Sequence, residues 1–370
     1  MQPRTLASLE THVTRLGIAL EPDGSAAEIE GVLNPASTRS RDGALLLYPR
    51  TVARGNVSRV GLYEARGSNG TPAFASLGFA LEPREPSEIR SAPGGYGCED
   101  PRVTFVPALD VYVMAYTAFG PSGPRIALAL SDDGYSWERL GLVDFSAPGL
   151  PRGDDKDAAF FPEPVISPAG VPSFAFYHRP MLHVSAVDGR GAVPIILAMP
   201  RDARECTRIA YVPYDAVMRD RRNLLKVAES ALVLEAGETW GRIKNGGGTP
   251  PVRIDEGWLS FFHGVDANYD ADGTCTGLRY SAGIVIHDRE RPHHVLYRSP
   301  TPELAPETPD ELRGMVNNVV FPTAIDVRPG AAARDYDVYY GMADSRIGLA
   351  RVRLGESVWV ADGASETTAA

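Results

Sequence analysis

The sequence predicts an all-β protein, a five-bladed β-propeller with a short N-terminal helical arm. Two observations carry that expectation. Across 370 residues, 37 Gly and 31 Pro are scattered between short apolar runs, the punctuation of many turns rather than long helices. The same order of segments also recurs about five times: an apolar strand carrying Pro, a turn, an alternating aromatic strand and a small-residue strand. Radially repeated four-stranded sheets are how an all-β chain of this length hides its strand edges. A hydrophobic fraction of 44% and a charged fraction of 23% supply the core and the soluble surface such a fold needs.

Taken in order, residues 1–30 read as an N-terminal arm in which Leu6, Leu9, His12, Val13 and Leu16 make one or two helical turns. A weak first unit follows at 44–50 and 58–63. The second runs through 103–107, 111–117 and 126–131, the third through 159–165 and 173–178. The fourth covers 250–254, 257–265 and 280–286, and the last covers 319–323, 337–342 and 347–352. The acidic stretch 131–137 reads as a hairpin turn with Trp137 anchored in the core. One propeller domain is therefore expected over 31–362, with a flexible tail at 363–370.

A net charge of −10 argues against a nucleic-acid partner, whose phosphates would be repelled, but leaves room for a local anion site. Cys98, Cys206 and Cys275 are odd in number and lack metal-type spacing, which fits a reducing compartment. No apolar stretch reaches the roughly 18 residues of a membrane span, and the first residues lack a signal-peptide core. A cytoplasmic protein without membrane contact is expected, and the arm allows a homo-oligomer. The run Gly246-Gly247-Gly248 lacks the Lys-Ser/Thr that follows a phosphate loop. The acidic stretch 266–277 has the wrong spacing for an EF-hand, so no metal is expected.

Chemistry concentrates where β-type runs end. Asp100 lies between a glycine-containing approach and Pro101, and Lys156, Arg179, Lys244, His263 and Tyr280 border runs of the repeated units. Glycosyl transfer to water normally needs two carboxyl groups. Transfer to inorganic phosphate needs one acid and a cage of cations, because the nucleophile arrives ionised and a second carboxylate would repel it. One acid with five such partners suits the second case.

The blocks Gly-Cys-Glu-Asp-Pro-Arg (97–102), Lys-Asp-Ala-Ala-Phe-Phe-Pro-Glu (156–163), His-Arg-Pro (178–180), Lys-Asn-Gly-Gly-Gly-Thr-Pro-Pro (244–251), Gly-Trp-Leu-Ser-Phe-Phe-His-Gly-Val (257–265) and Tyr-Tyr-Gly-Met-Ala-Asp (339–344) resemble the signatures of glycoside hydrolase family 130, the β-mannoside phosphorylases and related β-mannosidases. The resemblance spans roughly residues 30–352. It implies a five-bladed propeller and inverting phosphorolysis of a β-mannosidic bond to give α-mannose 1-phosphate. Asp100 matches the family's proton donor, which acts through the 3-hydroxyl of the mannosyl unit. Lys156, Arg179, Lys244, His263 and Tyr280 match phosphate contacts. Asn34, Arg50 and Asp344 are expected on the mannosyl side, where amide and charged groups grip vicinal hydroxyls, with Ser58 and Arg59 nearby.

Inorganic phosphate is then a co-substrate, and no cofactor is implied. Two other readings stand beside this one: an inverting β-mannosidase using Glu163 or Glu99 as base, and a sugar-binding propeller without catalysis. The segment holding Met181, His183 and residues 201–222, like 266–277, departs from the family pattern and leaves linkage and acceptor sugar open.

Overall fold

The computed structural model describes residues 4–67, 72–182, 192–328, 330 and 334–361. Among them the chain forms five antiparallel meanders in sequence order. The N-terminal strand β1 (Arg4–Leu20) comes first and belongs to the last of them. The first meander is β2 (Gly31–Arg39), β3 (Leu45–Ala53), β4 (Val57–Arg66) and β5 (Ala73–Leu81). The second is β6 (Tyr96–Val106), β7 (Val111–Gly120), β8 (Gly123–Ser131) and β9 (Glu138–Leu142). A two-residue parallel pairing of β4 with β6 joins these two. The third is β10 (Asp155–Phe160), β11 (Val165–Ile166), β12 (Pro172–Pro180), β13 (Thr207–Pro213) and β14 (Glu229–Leu234). The fourth is β15 (Lys244–Gly247), β16 (Val252–Arg253), β17 (Trp258–Tyr269), β18 (Cys275–His287) and β19 (Val295–Arg298). The fifth, β20 (Val320–Val327), β21 (Asp335–Met342) and β22 (Arg346–Ala361), is completed by β1 pairing with β22.

The core is a set of wedges between neighbouring meanders rather than one central mass. Leu46, Tyr48 and Val60 of the first pack on Met114 and Tyr116 of the second. Val113 and Leu128 of the second meet Phe160, Phe174 and Phe176 of the third. Phe161 and Tyr177 of the third meet Trp258 of the fourth, and Phe261 and Ile284 of the fourth meet Ile325 and Val338 of the fifth. Val32 and Leu47 of the first then meet Tyr339 and Leu349 of the fifth, so the packing returns to its start. Near-continuous apolar runs such as that of β7 suit this arrangement, because a sheet covered by neighbours on both faces buries successive side chains alike.

The arm is a strand, not a helix. Its register with β22 shifts between Leu6 and Ser8, between Leu9 and Thr11, and twice more before Leu20. The shift between Leu6 and Ser8 adds one residue to the arm, so Leu6 and Leu9 are buried together three positions apart and imitate a helical stripe. Leu6 and Leu9 are buried with the fourth and fifth meanders, each stabilising the join by about 1.5–3 kcal/mol.

The helices among the described residues are one or two turns long, and none is long and apolar enough to cross a membrane. The stretch 266–277 is the end of the β17–β18 hairpin, closed by Asp270 Oδ1, which accepts the backbone N–H of Asp272 and Thr274. The region of His183 and the tail 363–370 lie outside the described residues.

Candidate active site

One backbone device recurs on the first strands of three meanders. The ladder slips between Leu33 and Ala36 on β2, between Glu99 and Arg102 on β6, and between Lys156 and Ala159 on β10. Inside each slip a polar residue is left-handed: Asn34 at φ 43°, Asp100 at φ 45° and Asp157 at φ 62°. Asn and Asp tolerate this conformation better than other side chains, and a bulge re-aims the side chain it carries. All three are buried. Asn34 Nδ2 donates to Asp100 Oδ1 at 2.8 Å, so two of the bulges meet directly.

Around Asp100 the charges form a compact net. Arg50 Nη1 is 3.3 Å from Asp100 Oδ1, and Arg50 Nη2 donates to Glu99 Oε1 at 2.9 Å. Ser58 Oγ accepts from Arg50 Nε at 2.9 Å and fixes the guanidinium. Arg59 turns away to Glu82. Lys156 Nζ lies 3.4 Å from Glu99 Oε2 and 5.9 Å from the Phe119 ring centre. Burial raises the Asp100 carboxyl, but Arg50, Lys156 and Arg102 outweigh it and hold the group below the usual carboxylate range. Asp344 behaves oppositely. It sits at φ 51° in the turn between β21 and β22, where burial pushes its carboxyl up to about 6 against the pull of Arg50, with Asp100 adding repulsion.

A second cluster surrounds Asp157. Arg179 Nε donates to Asp157 Oδ2 at 2.6 Å, His263 Nε2 is 3.8 Å from the same oxygen, and Arg102 Nη2 is 3.9 Å from Oδ1. Burial raises the Asp157 carboxyl, yet Arg179, His263 and Arg102 together hold it well below the usual range. Arg179 Nη1 also donates to Glu205 Oε2, which lies 3.7 Å from Lys244 Nζ. Asp155 Oδ1 accepts the Arg179 backbone N–H at 2.9 Å and its Oδ2 pairs with buried His178 at 2.7 Å, so the backbone of Arg179 is pinned.

The fourth sheet supplies the rest by register. Lys244, Val265 and Tyr280 lie abreast across β15, β17 and β18, and Gly246 lies opposite His263. Strand alternation therefore puts Lys244, His263 and Tyr280 on one face. Lys244 Nζ lies 5.7 Å from the Tyr280 ring centre, and Tyr280 and Glu205 raise the Lys244 ammonium. His263 packs on Phe321 at 4.4 Å, and neither ring nitrogen has a hydrogen-bond partner among the described residues. Burial pushes His263 down to about 3 despite Asp157, so the ring is neutral.

Two glycines allow these approaches. A Cβ on Gly246 would fall 2.3 Å from both Asp157 Oδ2 and His263 Cε1, which explains the glycine run that starts there. A Cβ on Gly341 would fall 2.1 Å from Asn34 Oδ1, so the Tyr-Tyr-Gly block is open where β21 crosses the first bulge. Arg102, wholly buried, ties the two clusters. It donates to the Asp100 carbonyl at 2.7 Å and to the Gly248 carbonyl at 3.0 Å.

Asn34, Arg50, Asp100, Lys156 and Asp344 thus share one cluster, and Arg179, Lys244, His263 and Tyr280 share the other. Of the two carboxylates weighed as bases, Glu99 is in the first cluster. Glu163 pairs with Arg253 on the surface, beyond the far end of β10. Arg102, Asp157 and Glu205 were not singled out from the sequence. Asp157 and Arg102 stand inside quoted blocks, and their placement next to Lys156 and Asp100 was the available signal. Glu205 lies outside every block and carries no periodic signal.

A sequence model of glycoside hydrolase family 130, described as beta-1,4-mannooligosaccharide phosphorylase, matches residues 212–361. A 1,2-beta-oligomannan phosphorylase of Thermoanaerobacter sp. (strain X514) is 30% identical over 263 residues, 70% of this chain and 69% of that protein. A beta-1,2-mannobiose phosphorylase of the same organism is 28% identical over 69% of this chain and 66% of its own length. Among solved structures, the beta-1,2-mannobiose phosphorylase of Listeria innocua superposes with a TM-score of 0.65 at 20% identity. That match covers 92% of this chain and 96% of the other, a likeness of fold.

Proposed function

The chain belongs to glycoside hydrolase family 130, and we propose that it is an inverting β-mannoside phosphorylase releasing α-mannose 1-phosphate. The five meanders are on this reading the blades of a five-bladed propeller, with β2, β6, β10, β15 and β20 innermost. The supporting observation is the gathering of Arg179, Lys244 and neutral His263 in one cluster, joined through Arg102 to the cluster that holds Asp100. Inorganic phosphate takes the cationic end, with Tyr280 beside it and Lys156 closing the cage from the Asp100 side. The mannosyl unit takes Asn34, Arg50 and Asp344. No organic cofactor enters the scheme.

In the reaction the anomeric C–O bond breaks and the departing oxygen takes a proton. A phosphate oxygen forms the new bond from the opposite face, which inverts the anomeric centre. Asp100 supplies the proton through the mannosyl 3-hydroxyl. The cations that hold Asp100 ionised must first loosen their grip. An arriving phosphate anion and burial beneath a sugar ring both raise a carboxyl's pKa, so substrate binding loads the proton.

Glu205 favours a second reading, because it adds a carboxylate to the cationic cluster, and a β-mannosidase needs a second carboxyl group to activate water. Manno-oligosaccharides incubated with and without phosphate, with products followed by 31P and 1H NMR, separate the two. A phosphorylase gives α-mannose 1-phosphate only when phosphate is present. Equal release of free mannose in both samples would overturn the proposal.

A further inference from the structure

If Arg179, Lys244 and His263 cradle phosphate, Glu205 is an awkward neighbour. Its Oε2 accepts from Arg179 Nη1 and lies 3.7 Å from Lys244 Nζ, and its Oε1 accepts from the Leu182 N–H at 3.2 Å. The carboxylate is not a loose surface group. Asn245 N–H donates to the Glu205 carbonyl at 3.0 Å, and Asn245 Oδ1 accepts from both the N–H and the hydroxyl of Thr207. Glu205 is therefore stitched to β15, one residue from Lys244. The other carboxylate, Asp157, is sealed beneath Arg179 and His263, whereas the Glu205 side chain keeps 13% exposure.

An oxyanion touching both Arg179 and Lys244 must lie beside the oxygen that already bridges them. A carboxylate next to a fully ionised oxygen is repulsive, but next to a P–OH it accepts a charge-assisted hydrogen bond. Near neutral pH inorganic phosphate always keeps at least one such proton, and sulfate keeps none. We propose that Glu205 is a specificity-determining residue of the anion site. It accepts a hydrogen bond from the protonated oxygen of phosphate or arsenate and turns sulfate away. This rests on the phosphorylase reading for the identity of the anion.

Titration calorimetry of phosphate and of sulfate into the full chain, as wild type, Glu205→Gln and Glu205→Asp, tests it. The wild type should bind phosphate roughly 100-fold or more tighter than sulfate. Glu205→Gln, whose amide can donate as well as accept, should strengthen sulfate binding and shrink that ratio to about 10-fold or less. Glu205→Asp should retain preference for phosphate. A gain in sulfate binding is a readout that a damaged fold would not produce. Wild-type binding of sulfate within about 10-fold of phosphate overturns the inference, as does equal weakening of both anions in Glu205→Gln. Wild-type binding of neither anion overturns the phosphate reading itself, a separate outcome.

Discussion

The two clusters, one end of the site at Asp100 and the other at Asp157, use the same backbone trick to opposite electrostatic effect. At the Asp100 end, Glu99, Asp100 and Asp344 face Arg50 and Lys156. At the Asp157 end, Arg102, Arg179 and Lys244 face Asp157 and Glu205. Bulged left-handed residues aim the side chain in both places, so geometry is shared and charge balance is not. The lesson is that fold sets where groups converge, while the neighbours of each bulge set the balance of charge at that end. Arg102 spans both ends through the carbonyls of Asp100 and Gly248, which keeps their separation fixed.

The largest effect should follow removal of the acid. Asp100→Asn should lower kcat by about 100- to 10,000-fold, the range for general acid catalysis. Phosphate binding by calorimetry should not weaken, because Asp100 makes no contact in the Arg179 cluster and its ionised carboxylate only repels an anion. Equal loss of both would dissolve the division between the ends. Next comes the cation set. Lys244→Ala should weaken apparent phosphate affinity by about 2–5 kcal/mol. Initial rates at varied phosphate and varied mannoside check it, and a rise confined to the mannoside KM would count against the assignment.

The two ends should also titrate with opposite sign. His263 is depressed to about 3 in the folded chain, so its neutral form stabilises fully above about pH 6.5. That contribution, on the order of 5 kcal/mol, is lost as pH falls from 6.5 towards 3. Asp344 is raised to about 6, so the folded state holds the extra proton. Its contribution, on the order of 3 kcal/mol, is present below about pH 4 and lost as pH rises through 6. Across pH 4–7, denaturant melts should therefore show stability falling with rising pH in His263→Asn, and rising more steeply in Asp344→Asn than in the wild type. Parallel curves for all three proteins would contradict this. The smallest effect is expected at Glu163→Gln, which should leave phosphorolysis unchanged because Glu163 pairs with Arg253 on the surface. A large loss of rate would return it to the list of bases.

Much of this was legible in the residues. Strands such as β7 and β12 declare themselves through apolar and aromatic runs buried on both faces. Asp100 and Arg179 stand in short blocks with distinctive neighbours. The arm imitates a helix because the register shift between Leu6 and Ser8 sets two buried leucines three residues apart. Asp157 looked like a neighbour of Lys156, since only the slip in pairing with β12 shows that its side chain is turned inward. Glu205 could not be singled out, because it reaches Lys244 through a single bridge to β15 after an irregular segment. Pairings made at long range, without a periodic pattern around them, leave no local trace in sequence.

The difference between the two clusters is tested most directly by a crystal structure of the protein with inorganic phosphate. Phosphate oxygens should lie within hydrogen-bonding distance of Arg179, Lys244 and His263, with the anion outside the reach of Arg50. Density for phosphate centred on Arg50, with none between Arg179 and Lys244, would contradict the account.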